Sequence, residues 1–315
     1  MPPSADVAAT SVAPGDSGFQ TTVRLGRPVD LRLTLGSLWR GPADPTMRLF
    51  DGGVMRATRT PDGPTSLRVS LRDATAEATA WGPGAGWALD RLPALLGQTD
   101  DAAHFRPQHP LLVELHRRLV GLRLTRTEAV LEALVPAVLD QKVPSVQAGH
   151  SHLRLLRALA APAPGPLGLR LPPAPAELAA TPLWDFHRAG VERRRADIVR
   201  RCGLLAARLE ETAAMSPEAA TRRLMAVPGI GPWTAATVTG VALGDPDAVP
   251  LGDYHFPHLV TWALAGAPRG DDARMLELLE PYRGQRARVI RLLVAGGIRA
   301  PRFGPHLPLR DIARH

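Results

Sequence analysis

The sequence predicts an α+β fold, a small antiparallel β-sheet domain followed by an all-α bundle. Three observations carry this. Between Pro28 and about Leu96, short runs alternate apolar and polar residues between Gly, Pro and Asp turns, the period-two signature of strands. After residue 108 the apolar residues recur instead at helical spacing, first as Leu111, Leu112, Leu115, Leu119 and Leu122. The length of 315 residues, with 45% apolar and 22% charged side chains, supports about two globular domains with buried cores.

Taken in order, residues 1–24 are rich in Ser, Ala, Thr, Pro and Gly without periodicity and are expected to be a disordered leader. The sheet domain spans 25–107. Its alternating runs are Val29 to Leu35 and Leu67 to Leu71, its turns include Asp51-Gly52-Gly53 and Pro61 to Pro64, and a helix over Leu89 to Gly97 covers one face. The bundle spans 108–300. Leu131, Leu134, Val135 and Val138 mark its second helix, and Gln147 to Leu159 its third. The prolines of 161–175 predict a stiff surface loop within the bundle domain, since proline removes donors and fixes φ. Helices follow over Glu192 to Glu211 and from Ser216, an N-cap with proline after it, to near Val227. Four more are expected at 232–243, 253–265, 271–280 and 283–295, and residues 301–315 form a tail.

Composition closes several functions. A single cysteine, Cys202, cannot by itself form an internal disulfide, a four-cysteine zinc site or an iron–sulfur cluster. Lys142 is the only lysine, so a Schiff-base mechanism would have to use it or the terminal amine. No apolar run is long enough to span a bilayer and the N-terminus does not read as a secretory signal, so the expected location is cytoplasmic. A net charge of +8 favours a polyanionic partner such as nucleic acid.

The most informative segment runs from Leu224 through Pro228-Gly229-Ile230-Gly231-Pro232-Trp233-Thr234-Ala235. It reads as a helix, a tight Gly-X-Gly turn and a helix opened by proline. Glycines let the main chain approach a ligand closely, and the next helix offers unpaired N–H groups, together a phosphate site. A plain inter-helix turn is the alternative for Gly-X-Gly alone. Asp253 follows 22 positions beyond Gly231, within Gly252-Asp253-Tyr254-His255, at the start of the next expected helix. Alone it would read as a helix cap.

A helix–hairpin–helix followed at this spacing by Gly-Asp-Tyr-His resembles the helix–hairpin–helix DNA glycosylase superfamily, in particular its 3-methyladenine DNA glycosylase II branch. Val138-Leu139-Asp140-Gln141-Lys142-Val143 is similar to that family's I-L-x-Q-x-V loop, and Phe186 to Gly190 through Arg195-Ala196 to its L-G-x-x-x-x-R-A stretch. The likeness covers about 108–295, and the small sheet domain precedes the bundle in that branch too.

The resemblance implies a monofunctional hydrolase that excises alkylated purines of the 3-methyladenine and 7-methylguanine type from double-stranded DNA during base excision repair. Asp253 would be the catalytic carboxylate. Members that also cut the strand carry a lysine near where Trp233 stands, so strand cutting is not expected. Trp233 and Tyr282 would stack on the extruded base, with Thr237 and Tyr254 also lining the pocket. Thr237 stands where another aromatic is expected, and core packing is the alternative for the aromatic residues. Gln141 and Lys142 lie on the wedge loop, and Gly229, Ile230, Gly231, Trp233 and Thr234 form the DNA-binding hairpin. No cofactor is required, but a structural Na+ or K+ is implied on the carbonyls of Met225, Val227 and Ile230. Arg193, Arg194, Arg195, Arg283, Arg286, Arg288 and Arg291 either track DNA or form solvated helix faces. His255 and His258 read as solvated or DNA-facing, and the protein as a monomer. Two other readings remain open: a damaged-DNA-binding module without excision, and a glycosylase for deaminated or oxidised bases.

Overall fold

The computed structural model describes residues 8–9 and 18–301. The tail beyond 301 and residues 1–7 and 10–17 of the expected leader lie outside the described residues. The leader assignment is corrected at its end, because Phe19–Arg24 is a strand. Its Thr21, Thr22 and Val23 are β-branched, suited to a pleated edge, and pair with Ala78, Glu77 and Ala76.

The sheet contains β1 (Ala8–Ala9), β2 (Phe19–Arg24), β3 (Met47–Phe50), β4 (Gly53–Thr60), β5 (Gly63–Arg72) and β6 (Thr75–Trp81), in the order β1-β2-β6-β5-β4-β3. Every pairing is antiparallel. Val23, Val54, Leu67, Val69, Ala76, Ala78 and Ala80 project from one face into an apolar core closed by helices Leu31–Leu35, Ala85–Asp90 and Leu92–Leu95. The first of these corrects an expected strand. The alternation Leu31, Leu33, Leu35 imitates period two, but Asp30 accepts the Leu33 N–H at 2.9 Å, a helix cap. Leu31, Thr34 and Leu35 are the residues then buried, a helical spacing.

The Pro-rich segment also departs from expectation. It packs against the sheet, placing Leu169 and Leu171 on Ala57 of the face opposite the helices, while Arg170 N–H donates to the Pro45 carbonyl at 2.8 Å. Glu132, on helix Val130–Leu139, makes a second attachment, accepting from Arg56 Nη2 at 2.8 Å, Thr58 Oγ1 at 2.6 Å and Arg59 N at 2.9 Å.

The helical part has two apolar cores, where the sequence pattern indicated one bundle. Helix Val130–Leu139 runs through the first and is almost wholly buried among Leu155, Phe186, Ile198, Val199, Leu224, Ile230 and Val238. Its first N–H groups, on Val130 and Leu131, donate to the Glu210 carboxylate at 2.8 Å each, which supplies the cap that Ala129 cannot. The second core joins Leu112 and Leu115 of helix Pro110–Arg118 to helices Phe256–Ala265, Asp272–Leu279 and Arg286–Ala295. The opening helix therefore packs with the closing ones.

Candidate active site

The site lies where these two cores meet. Helix Pro217–Met225 ends the first arm of the hairpin, its N-cap Ser216 accepting from Ala219 N as its sequence indicates. Val227 then accepts the Ile230 N–H at 3.0 Å, which closes the turn. The two glycines do different work. Gly229 has φ +100°, and an added Cβ would lie 2.5 Å from Ile198 Cδ1, so both conformation and packing require glycine. Gly231 has φ −104°, open to any residue, and faces open space. Arg201 Nη1 fixes the turn by donating to the Pro228 carbonyl at 2.7 Å.

Helix Pro232–Val238 follows and widens into a π-turn over Thr239–Leu243, which ends at Gly244 in the left-handed region. The chain crosses to the second core through a loop anchored by Asp247. That carboxylate accepts from Gly284 N at 2.7 Å, Arg286 N at 3.1 Å and the Arg286 guanidinium. Burial opposes the Asp247 charge, but Arg286 and these N–H groups outweigh it and hold its pKa below the ordinary value. Asp272 Oδ2 then accepts the Gly252 N–H at 2.8 Å, aligning the turn into Asp253.

Asp253 is half-buried and its carboxylate is fully oriented. Oδ1 accepts from His255 N at 2.7 Å and Phe256 N at 2.9 Å, ahead of helix Phe256–Ala265. Oδ2 accepts from Trp233 Nε1 at 2.7 Å. One oxygen thus serves the helix start while the other faces the hairpin. The indole of Trp233, packed on the first core, is the group that meets it.

Across the hairpin, Gln141 Nε2 donates to the Gly229 carbonyl at 3.0 Å and Thr234 Oγ1 at 2.9 Å. Lys142 is exposed with φ +57°. Leu139, just before this loop, has its carbonyl bound by the buried Arg195 at 2.6 Å. The amide nitrogen of Gln141 and the side chain of Thr234, the latter 1% exposed, therefore hold the loop to the hairpin and do not face outward. Ile230 is likewise buried, leaving its main chain for any contact. Thr237 Oγ1 donates to the Trp233 carbonyl at 2.8 Å within its own helix.

The two tyrosines diverge. Tyr254 is 74% exposed beside Asp253, its ring meeting those of His255 and His258 edge-on. Tyr282 is corrected as a pocket residue. It is 7% exposed in the second core against Phe105, and its hydroxyl accepts the His109 N–H at 3.2 Å. Its neighbours Glu280, Pro281, Arg283 and Gly284 and its turn position gave no warning of this burial.

Three arginines expected to face DNA or solvent are reassigned. Arg288 forms a buried pair with Asp100, Arg286 is held by Asp247, and Arg291 Nη2 donates to the Leu33 carbonyl at 2.9 Å, whereas Arg283 pairs with Glu280 but stays exposed as expected. Arg195 is buried, whereas Arg193 and Arg194 are exposed as expected. Asp247, Asp272 and Arg201, which position the site, escaped the sequence reading because isolated charged residues carry no local pattern. Among the described residues no three His, Cys, Asp or Glu side chains cluster. A cation at the hairpin would therefore rest on main-chain oxygens. Val227 O already accepts one N–H, but a carbonyl has a second lone pair, so this donor set still fits a monovalent ion.

No protein-family model and no curated protein matches this sequence. Solved structures do match. A 3-methyladenine DNA-glycosylase from Archaeoglobus fulgidus is 20% identical, with a TM-score of 0.74 over 87% of this chain and 97% of that one. MBOgg1, solved in complex with a low-affinity DNA ligand, is 17% identical, with a TM-score of 0.72 over 93% and 98% of the two chains. An 8-oxoguanine glycosylase/lyase from Clostridium acetobutylicum, bound to double-stranded DNA with cytosine opposite 8-oxoG, is 12% identical, with a TM-score of 0.67 over 88% and 94%. The chain has the α+β fold of these DNA glycosylases, sheet domain included.

Proposed function

We propose that the protein is a monofunctional DNA glycosylase of the 3-methyladenine glycosylase II type, acting in base excision repair on alkylated purines in double-stranded DNA. The observation that carries this reading is the Asp253 carboxylate, oriented by the Trp233 indole and two main-chain N–H groups beside the hairpin turn. The reaction breaks the bond between C1′ and the base nitrogen, with the electron pair leaving on the base. The sugar becomes oxocarbenium-like, and a fixed negative charge beside it lowers the barrier. Asp253 also accepts or directs the proton of the water that adds to C1′. An alkylated purine is cationic and leaves as a neutral base, so no strong general acid is needed. Trp233 and the exposed Tyr254 supply faces for an electron-poor base extruded from the stack.

The Gly229–Gly231 main chain holds phosphate, Lys142 braces the stack, and the carbonyls of Met225, Val227 and Ile230 would hold Na+ or K+, adding positive charge beside that phosphate. Strand-cutting members of the superfamily carry a lysine in the hairpin's second helix, close to where Trp233 stands, and this helix has none, which supports hydrolysis without lyase chemistry. The likeness to an 8-oxoguanine glycosylase/lyase favours one second reading, excision of an oxidised purine.

Chromatography of bases freed from methylated duplex DNA tests the proposal. Wild type should release 3-methyladenine or 7-methylguanine with strands intact. Asp253→Asn should bind DNA normally but excise at least about 100-fold more slowly. Release of 8-oxoguanine instead selects the second reading, borohydride trapping of a protein–DNA adduct refutes the hydrolytic one, and undiminished turnover by Asp253→Asn removes that residue from the mechanism.

A further inference from the structure

The loop between helices Val130–Leu139 and Ser145–Leu159 is fixed at its base and exposed at its tip. Arg195, 2% exposed, donates from Nη1 to the Leu139 carbonyl at 2.6 Å. Gln141 Nε2 donates to the Gly229 carbonyl at 3.0 Å and to Thr234 Oγ1 at 2.9 Å, so both of its amide hydrogens are committed to the hairpin. Lys142 is the next residue. It is exposed at φ +57°, a left-handed conformation that glycine adopts freely and other residues do not. The tip thus keeps a side chain against the preference of its own main chain.

That side chain is the one lysine among 38 basic residues. Among the described residues it forms no hydrogen bond and no ion pair. The nearest acid along the chain, Asp140, does not hold it: burial raises the pKa of Asp140, and the cations that oppose this are Arg40 and Arg195. The ammonium is therefore an uncommitted donor beside the hairpin turn. With Gln141 tied to the hairpin, the loop has no other side-chain donor to offer.

We propose that Lys142 reads the base left unpaired opposite the extruded nucleotide and favours a pyrimidine there. The proposal rests on the reading above that a nucleotide leaves the stack beside the hairpin, and it adds a specificity for the undamaged strand. Extrusion leaves a gap that faces the orphaned base, and an unbranched stem on a fixed tip suits a gap one base thick. An ammonium has three donors and no acceptor, so it discriminates by the acceptors it meets. On their pairing edges thymine offers O2 and O4 and cytosine offers O2 and N3, whereas adenine offers only N1 and guanine only O6. A donor-only group therefore suits lesions whose partners are pyrimidines, which are purines. Residue type separates base from phosphate: arginine forks match a phosphate, and a chain that uses arginine at every other basic position has here a compact point donor.

The test is equilibrium binding to four duplexes that differ only in the base opposite a tetrahydrofuran abasic analogue, so that no lesion pair has to be broken. Wild type should bind the thymine and cytosine duplexes about tenfold more tightly than the adenine and guanine ones, the scale of one hydrogen bond to a charged group. Lys142→Met keeps an unbranched stem and removes the ammonium. It should bind all four duplexes alike, near the wild-type level for the purines, with an unchanged melting temperature. Equal affinity of wild type for the four duplexes overturns the proposal, and so does a fall by one factor on all four in Lys142→Met, the mark of a phosphate contact. A preference retained by Lys142→Met overturns it as well. The excision reading is judged separately by base release. If wild type frees no base while Lys142→Met loses the preference, the readout stands and excision falls; if wild type frees bases without preferring pyrimidines, excision stands and the readout falls.

Discussion

The two helical cores are built alike but hold different halves of the site. The first, around helix Val130–Leu139, carries the hairpin and Trp233. The second, around Leu112, Val260 and Val289, carries the helix that Asp253 precedes. Neither half is complete alone. The Trp233 to Asp253 hydrogen bond spans them at 2.7 Å, and Asp247 with Arg286 pins the connecting loop. A site divided between two cores depends on their relative placement, so residues remote from the chemistry control it.

The buried pair of Asp100 and Arg288 gives the strongest way to break this arrangement. Each side chain is 2% exposed, and Asp100 Oδ2 also accepts Leu124 N at 3.0 Å, tying the second core to the strand of chain that enters the first. Asp100→Asn leaves a buried guanidinium unpaired and should cost about 3–5 kcal/mol in urea unfolding. Trp233→Phe keeps the aromatic face but removes the donor to Asp253. A hydrogen bond to a charged group contributes about 1.5–3 kcal/mol, so single-turnover excision should slow by about tenfold or more with affinity for DNA little changed.

The tyrosines sharpen the comparison further. Tyr282→Phe loses the partner of His109 N–H and should lower stability by about 1 kcal/mol without altering excision. Tyr254→Ala should do the reverse, reducing excision with stability within about 0.5 kcal/mol of wild type. The smallest effect is confined to acid. Because the folded-state pKa of Asp247 is depressed, its contribution is present above the unfolded value and is lost as pH falls through the folded one. Wild type should therefore lose stability below about pH 4, and Asp247→Asn should flatten that limb of a urea-midpoint profile.

Much of the fold was legible locally. Ser216 caps its helix, the runs that begin at Leu111 and Leu131 are helices, though the first ends at Arg118, short of Leu122, and Gly229 to Pro232 is the expected turn. Where the reading failed, a local pattern had two solutions. Leu31, Leu33 and Leu35 satisfy a strand until the Asp30 cap is counted, and the prolines of 161–175 signal an irregular chain without saying which surface receives it. Exposed and buried arginines look identical in sequence, since burial depends on a partner such as Asp100, which lies 188 residues from Arg288.

The sequence alone determined the order of sheet and bundle, the hairpin turn and the distance from it to Asp253, because turn chemistry and periodicity act over a few neighbouring residues. It also restricted amine chemistry by holding a single lysine. Tertiary structure decided that Asp253 is oriented by an indole from the other core, and that Tyr254 is exposed and Tyr282 buried. Those outcomes are set by packing between segments distant along the chain, and no local spacing encodes them.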